Sequence, residues 1–159
     1  PDLYYNFHLG AEYKGWGIDA MFQGVGKWTG FKTTNGLYRS AVVSNTLSQY
    51  LYENSWSAER GNTENPLFPR LSTTSNANND VNSTLNMFDR SYLKLRYVEM
   101  YYYLPQALLN KVGFIDGVKL YVRGTDLFTA DHLDKADAAS YGATQPLTKS
   151  LQVGAAVSF

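Results

Sequence analysis

The chain has no cysteine, so it can hold neither a disulfide framework nor a thiolate metal site. Its formal charge is zero, which removes any overall pull towards nucleic acid or an acidic surface. Although 44% of its residues are hydrophobic, no apolar run approaches the roughly 18 residues of a membrane-crossing helix. It has only two histidines, no recognisable Ser/His/Asp arrangement and no phosphate-cradling glycine loop, so catalysis is not expected. No cofactor is implied. An initiating Met and a charged leader are both missing at Pro1, which reads as a processed or truncated chain.

What the chain does have is tyrosine, 13 residues of it, with 8 Phe and 3 Trp. Aromatics favour strands and membrane interfaces. Residues 4–14, YYNFHLGAEYK, alternate strictly: Tyr5, Phe7, Leu9, Ala11 and Tyr13 share one parity, and Asn6, His8, Gly10, Glu12 and Lys14 the other. After the turn signal Lys14–Gly15, Trp16, Ile18, Ala20, Phe22, Gly24, Gly26 and Trp28 again share one face, so a hairpin is predicted. Residues 29–88 lose all period and read as one long loop, far above the usual ceiling of about 12–15 residues, with a short helix around Leu47–Glu53.

Alternation resumes at SYLKLRYVEMYYYL. Leu93 and Leu95 oppose Tyr92, Lys94 and Arg96, and then the apolar set slips to Val98, Met100, Tyr102 and Leu104. Such a slip predicts a β-bulge near Tyr97. PQALLNKVG predicts a turn or two of helix, started by Pro105 and ended by Gly113. GVKLYVRGTDLF is a fourth strand, 130–147 a second loop, and SLQVGAAVSF a final strand starting near Thr148. No domain boundary is visible.

Each strand segment reaches about ten residues, the length of a tilted membrane strand rather than the roughly 5–6 of a soluble one. Trp16 and Trp28 lie twelve residues apart on one face. At about 3.3 Å per residue and a tilt near 40° that spans roughly 30 Å, close to an apolar band with its aromatic girdles. Short and long connections alternate, as in outer-membrane barrels. The expected fold is therefore an all-β, antiparallel transmembrane β-barrel segment of about five long strands. Its external loops would be 29–88 and 130–147, and its C-terminus periplasmic. Tyr13, Trp16, Tyr102 and Phe159 fall at the inner interface, Trp28 and Phe128 at the outer one.

On this reading Asp19, Lys94, Arg96, Lys119 and Arg123 line a lumen. On the lipid side at midplane each basic one would cost about 2–4 kcal/mol, an acidic one less. The side of Glu99 depends on the bulge. Five strands cannot close, and open edges in lipid leave unpaired backbone groups, so more strand must flank both edges. The last strand, with Val153, Val157 and Phe159, resembles the signal by which such barrels are passed to the insertion machinery.

Several segments together resemble the C-terminal part of the SusC/RagA family of TonB-dependent transporters. NPLFPRL (65–71) is similar to the family's Asn-Pro…Pro-Arg-Leu segment, and DRSYLKLRYVEMYYYLP (89–105) to its Asp-x-Ser-Tyr-Leu-Arg-Leu-Lys…Leu-Pro strand. GVKLYVRGTDLFT (117–129) is similar to its Leu-Tyr-Val-x-Gly-Gln-Asn-Leu-Phe-Thr strand, with Asp126 in place of Asn, and Gly154 to Phe159 to its terminus. The usual Tyr-x-Gly-x-Asp-Pro-Glu loop is replaced by DHLDKADAASYGA. The resemblance implies the last five strands of a 22-stranded barrel completed by other polypeptide. It also implies a plug, a TonB box outside this chain, and a SusD-like surface lipoprotein as lid. The implied cargo is large nutrients, oligosaccharides or peptides.

Tyr50, Tyr52 and Trp56 are candidates for substrate or lid contact, against internal loop packing. Asp131, Asp134 and Asp137 with His132 show no spacing of a known calcium cage, so a solvated loop is favoured and no metal site is assigned. Two alternatives stay open: a soluble carbohydrate-binding β-sandwich, and a non-transporting outer-membrane barrel used for adhesion.

Overall fold

The computed structural model describes residues 1–34, 37–39, 47–74, 76–111, 113–142, 145 and 147–159. Parts of both predicted loops, 29–88 and 130–147, lie outside the described residues. The chain forms two compact units, Pro1–Trp28 with Arg90–Phe159, and Thr29–Asp89.

In the first unit, β1 (Leu3–Tyr13) and β2 (Trp16–Gly26) form the predicted hairpin. Lys14 and Gly15 take φ of 50° and 83°, the paired left-handed residues that match a tight turn to strand twist. The Gly15 carbonyl accepts a 2.8 Å bond from the Tyr103 N–H, and a Cβ on Gly15 would press on the Tyr103 carbonyl. The sheet continues through β5 (Tyr92–Tyr103), β6 (Gly117–Asp131) and β7 (Ser150–Ser158), antiparallel throughout, in the order β1-β2-β5-β6-β7. The helix α3 (Gln106–Leu109) follows Pro105, and Gly113 has a φ of 77°.

The bulge falls beside the predicted site. Met21 pairs with Tyr97 and Phe22 with Leu95, leaving Arg96 as the extra residue of β5. Across β6 the same gap takes in Asp126 and Leu127, which lie between the partners Thr125 and Phe128. Asp126 has a φ of 51°, a left-handed conformation that Asp and Asn tolerate better than most side chains.

Register places like with like across the strands. One face carries the rows Leu9–Ala20–Val98–Gly124–Leu151 and Ala11–Ile18–Met100–Val122–Val153. Phe7, Ile18, Leu120 and Val157 on it are 42%, 44%, 46% and 49% exposed. No described residue forms a second layer over them, as the core of a soluble β-sandwich requires. The opposite face carries the polar rows, and there Lys94 and Glu99 are buried.

The second unit holds the short helix expected around Leu47–Glu53, and beyond that expectation it has a packed core of its own. An antiparallel pair of three-residue strands, β3 (Thr29–Phe31) with β4 (Met87–Asp89), brackets α1 (Gln49–Asn54) and α2 (Ala77–Asp80). The Ser48 hydroxyl caps α1 by accepting from the Leu51 N–H at 3.1 Å. Tyr38, Leu51, Phe68 and Phe88 are buried and make an apolar core of its own.

Candidate functional site

The polar face of the sheet is built around Glu99. Its two oxygens accept from Lys119 Nζ at 2.6 Å and from Arg123 Nε at 2.7 Å. Arg123 sits directly across the register from Glu99, and Lys119 reaches over the Tyr101 ring, 4.3 Å from its centroid. Asp19 lies opposite Glu99 on the other side. Like charges facing each other destabilise a sheet, and here Asp19 has its own partners: His8 Nε2, and the Tyr97 hydroxyl donating at 3.2 Å. One row along, the Tyr101 hydroxyl donates to Glu12 at 3.1 Å by lying across Gly17, where a Cβ would overlap the ring. Tyr121 covers Gly154 in the same way. Each glycine is thus the space a neighbouring tyrosine fills.

The five charged residues singled out in the sequence divide into three groups. Asp19, Lys119 and Arg123 converge on or beside Glu99. Arg96, at the bulge, pairs with Asp126 at 2.8 Å. Lys94 is only 1% exposed and pairs at 2.6 Å with Asp137 of the 131–142 segment. Burial works to raise the Asp137 pKa, but the bonds from Lys94 and from the Ala139 N–H outweigh it, and the carboxyl is held below the usual range. Asp131 accepts from the Leu133 and Ala138 N–H groups. Asp131 and Asp137 therefore fold this segment rather than stand in solvent as the sequence reading favoured. Arg90 completes the segment: it donates to the Ala138 and Tyr141 carbonyls, and its guanidinium lies 3.8 Å from the centre of the Trp28 ring. Burial lowers the Arg90 pKa. Trp28 itself lies beyond the end of β2, after Lys27 with a φ of 51°.

On the exposed apolar face, Tyr13, Trp16 and Tyr102 share one row, with Trp16 and Tyr102 rings 4.6 Å apart. Phe128 shares another with Phe7 and Phe22, which stack at 4.8 Å. Val153, Val157 and Phe159 are all exposed, Phe159 to 90%.

In the inserted unit the three aromatic candidates separate. Tyr50 packs inward, edge-on to Tyr38 and Phe68 at 6.3 and 5.7 Å. Tyr52 and Trp56 remain exposed. Tyr52 carries the Arg60 guanidinium 4.0 Å above its ring. Trp56 lines a cleft of about 350 Å³ with Ser57, Ala58, Glu59, Arg60, Arg70 and Leu71. The Trp56 N–H donates to the Phe68 carbonyl at 2.9 Å, which brings the PRL segment alongside. The sequence flagged Trp56 by type. It missed Arg60 and Arg70, because their proximity depends on that pairing.

No protein-family model matches the chain, and no curated protein gives a significant match. Solved structures do. A chain of the RagAB peptide importer in the open-open state aligns over 98% of this chain with a TM-score of 0.68 and 22% identity, using 17% of its own length. A chain of the RagAB peptide transporter aligns over 97% with a TM-score of 0.74, 21% identity and again 17% of its length. The closed-closed state of the importer gives 0.73 and 21% over 98% of this chain and 17% of that one.

The five strands are a segment of a β-barrel. That fold accounts for an exposed apolar face, a paired polar face and two outer strands, β1 and β7, that each have one partner among the described residues. The chain spans 17% of the length of the solved chains it matches.

Proposed function

We propose that the chain supplies five consecutive strands to the barrel of a TonB-dependent outer-membrane importer of the SusC/RagA kind. The observation that carries this reading is the inverted sheet, with its apolar side exposed and its charges paired on the other side. The apolar side meets lipid, with Tyr13, Trp16, Tyr102 and Phe128 towards its interfaces. The polar side, with Asp19, Lys119 and Arg123, faces the lumen, where the plug or water meets it. The work of the protein is passage of large nutrients, and no catalytic step is assigned. Both oligosaccharides and peptides suit the resemblance, and the likeness to RagAB supports peptides.

The partners are the rest of the barrel and its plug, a SusD-like lid lipoprotein, TonB acting through sequence outside these residues, and the insertion machinery. Val153, Val157 and Phe159 would present the assembly signal at the periplasmic end. The inserted unit, leaving at Trp28 and returning at Arg90, would be external.

The test is made on the complete gene product. It should fractionate with the outer membrane and run with heat-modifiable mobility, and its deletion should abolish growth on a peptide mixture as amino-acid source. Phe159→Ala should lower the amount assembled. Recovery of the complete protein in the soluble fraction would contradict the proposal.

A further inference from the structure

We infer that the cleft of the inserted unit is a subsite for the carboxyl end of a peptide, an inference that rests on the importer reading and deepens it. Arg60 is fixed before any ligand arrives. Its Nη2 donates to the Ser55 carbonyl at 3.2 Å and to the Ser55 hydroxyl at 3.1 Å, and Ser55 is fully buried. Its flat face lies on Tyr52. Among the described residues only Nη2 is committed to an acceptor, which leaves the Nε and Nη1 donors for another.

The pairing of Ser57 with Asn62 folds the backbone into a turn that carries Glu59 and Arg60, with Gly61 at a φ of 71°. The Asn62 side chain locks this turn by donating to the Ser55 carbonyl at 3.0 Å and the Glu53 carbonyl at 3.2 Å. The Ser55–Phe68 bridge brings Arg70 to the same cleft from the other segment. Arg70 is exposed.

Two guanidinium groups on one cleft select an anion, and their planar donor forks suit a carboxylate. Glu59 on the same wall rejects a dense anion such as phosphate and accepts an amide N–H. Trp56 and Leu71 supply an apolar surface for a side chain. A carboxylate, an amide N–H and a side chain at close quarters are the chemistry of a peptide's last residue. A neutral oligosaccharide would use Trp56 and leave both arginines idle.

The probe is the pentapeptide Gly-Ser-Gly-Ala-Leu, as free acid and as C-terminal amide, titrated onto the complete detergent-purified transporter with its lid protein. The free acid should bind more tightly than the amide. Arg70→Gln, chosen because Arg60 also supports the turn, should weaken the acid about tenfold or more and leave the amide unchanged. Trp56→Ala should weaken both forms. Equal binding of acid and amide by the parent protein, or an Arg70→Gln variant that keeps the preference, would overturn the subsite while leaving peptide import standing. Binding of neither form, with binding of a neutral maltohexaose instead, would overturn both.

Discussion

In the unit of residues 29–89, Tyr38, Leu51 and Phe68 are buried and the polar side chains lie mostly outside. In the sheet, Lys94 and Glu99 are buried while Ile18, Val122 and Val153 stand exposed. One chain therefore follows two opposite partitions, and the dividing lines fall at Trp28 and Arg90. The hydrophobic effect fixes the first arrangement. The second is stable only where the surroundings are themselves apolar on one side and aqueous on the other. The difference teaches that burial, read alone, reports the solvent for which a surface was selected.

The two regions should respond to substitution in opposite ways. Leu51→Ala opens a cavity in the inserted unit and should destabilise it by about 2–5 kcal/mol. Hydrogen exchange in the complete protein should rise across 47–89 while heat-modifiable mobility of the barrel stays normal. Next, Val122→Arg places a guanidinium one residue from the native Arg123 but on the other face. It should cost about 2–4 kcal/mol of folding into vesicles near the bilayer midplane. Asn6→Arg, on the polar face opposite the neutral Gln23, should change folding little by the same measurement. Equal effects of the two would erase the distinction between the faces.

A smaller loss is expected from Glu99→Gln, which leaves Lys119 and Arg123 without their carboxylate. About 1–3 kcal/mol is the scale for removing one charged partner, and solvent reaching Arg123, whose side chain is 44% exposed, moves it to the low end. The urea midpoint for folding into vesicles reports it. The smallest effect is set by acid. Asp137 has a folded pKa below its unfolded value, so its contribution is present above roughly pH 4 and fades as pH falls through the folded pKa. Exchange at the Ala139 amide should therefore rise in strong acid. In Lys94→Met, where the bond that lowers the pKa is gone, it should rise at a higher pH.

The strands were legible because membrane strands must alternate along their whole length, so each face announces itself. The bulge was legible because a slip in alternation has few other causes; it occurs at Arg96, beside the predicted Tyr97. The inserted unit was legible only in its short helix α1. Its core residues Tyr38, Leu51, Phe68 and Phe88 are scattered without period, and its strands are three residues each. The site was legible only by parity. Sequence could assign Lys119 and Arg123 to one face, but their meeting on Glu99 depends on register. The burial of Lys94 depends on Asp137, which lies 43 residues away.

The claim beneath all of this is that the exposed apolar face touches acyl chains. Residues 1–159 contain no cysteine, which allows single labels in a complete protein otherwise free of that residue. Ile18→Cys, Val122→Cys and Val153→Cys, each carrying a bimane fluorophore, should be strongly quenched in vesicles of brominated phospholipid. Asp19→Cys, Arg123→Cys and Gln152→Cys should not be, and should respond instead to iodide in the water. The same quenching by bromolipid at both sets, or none at the first, would contradict it.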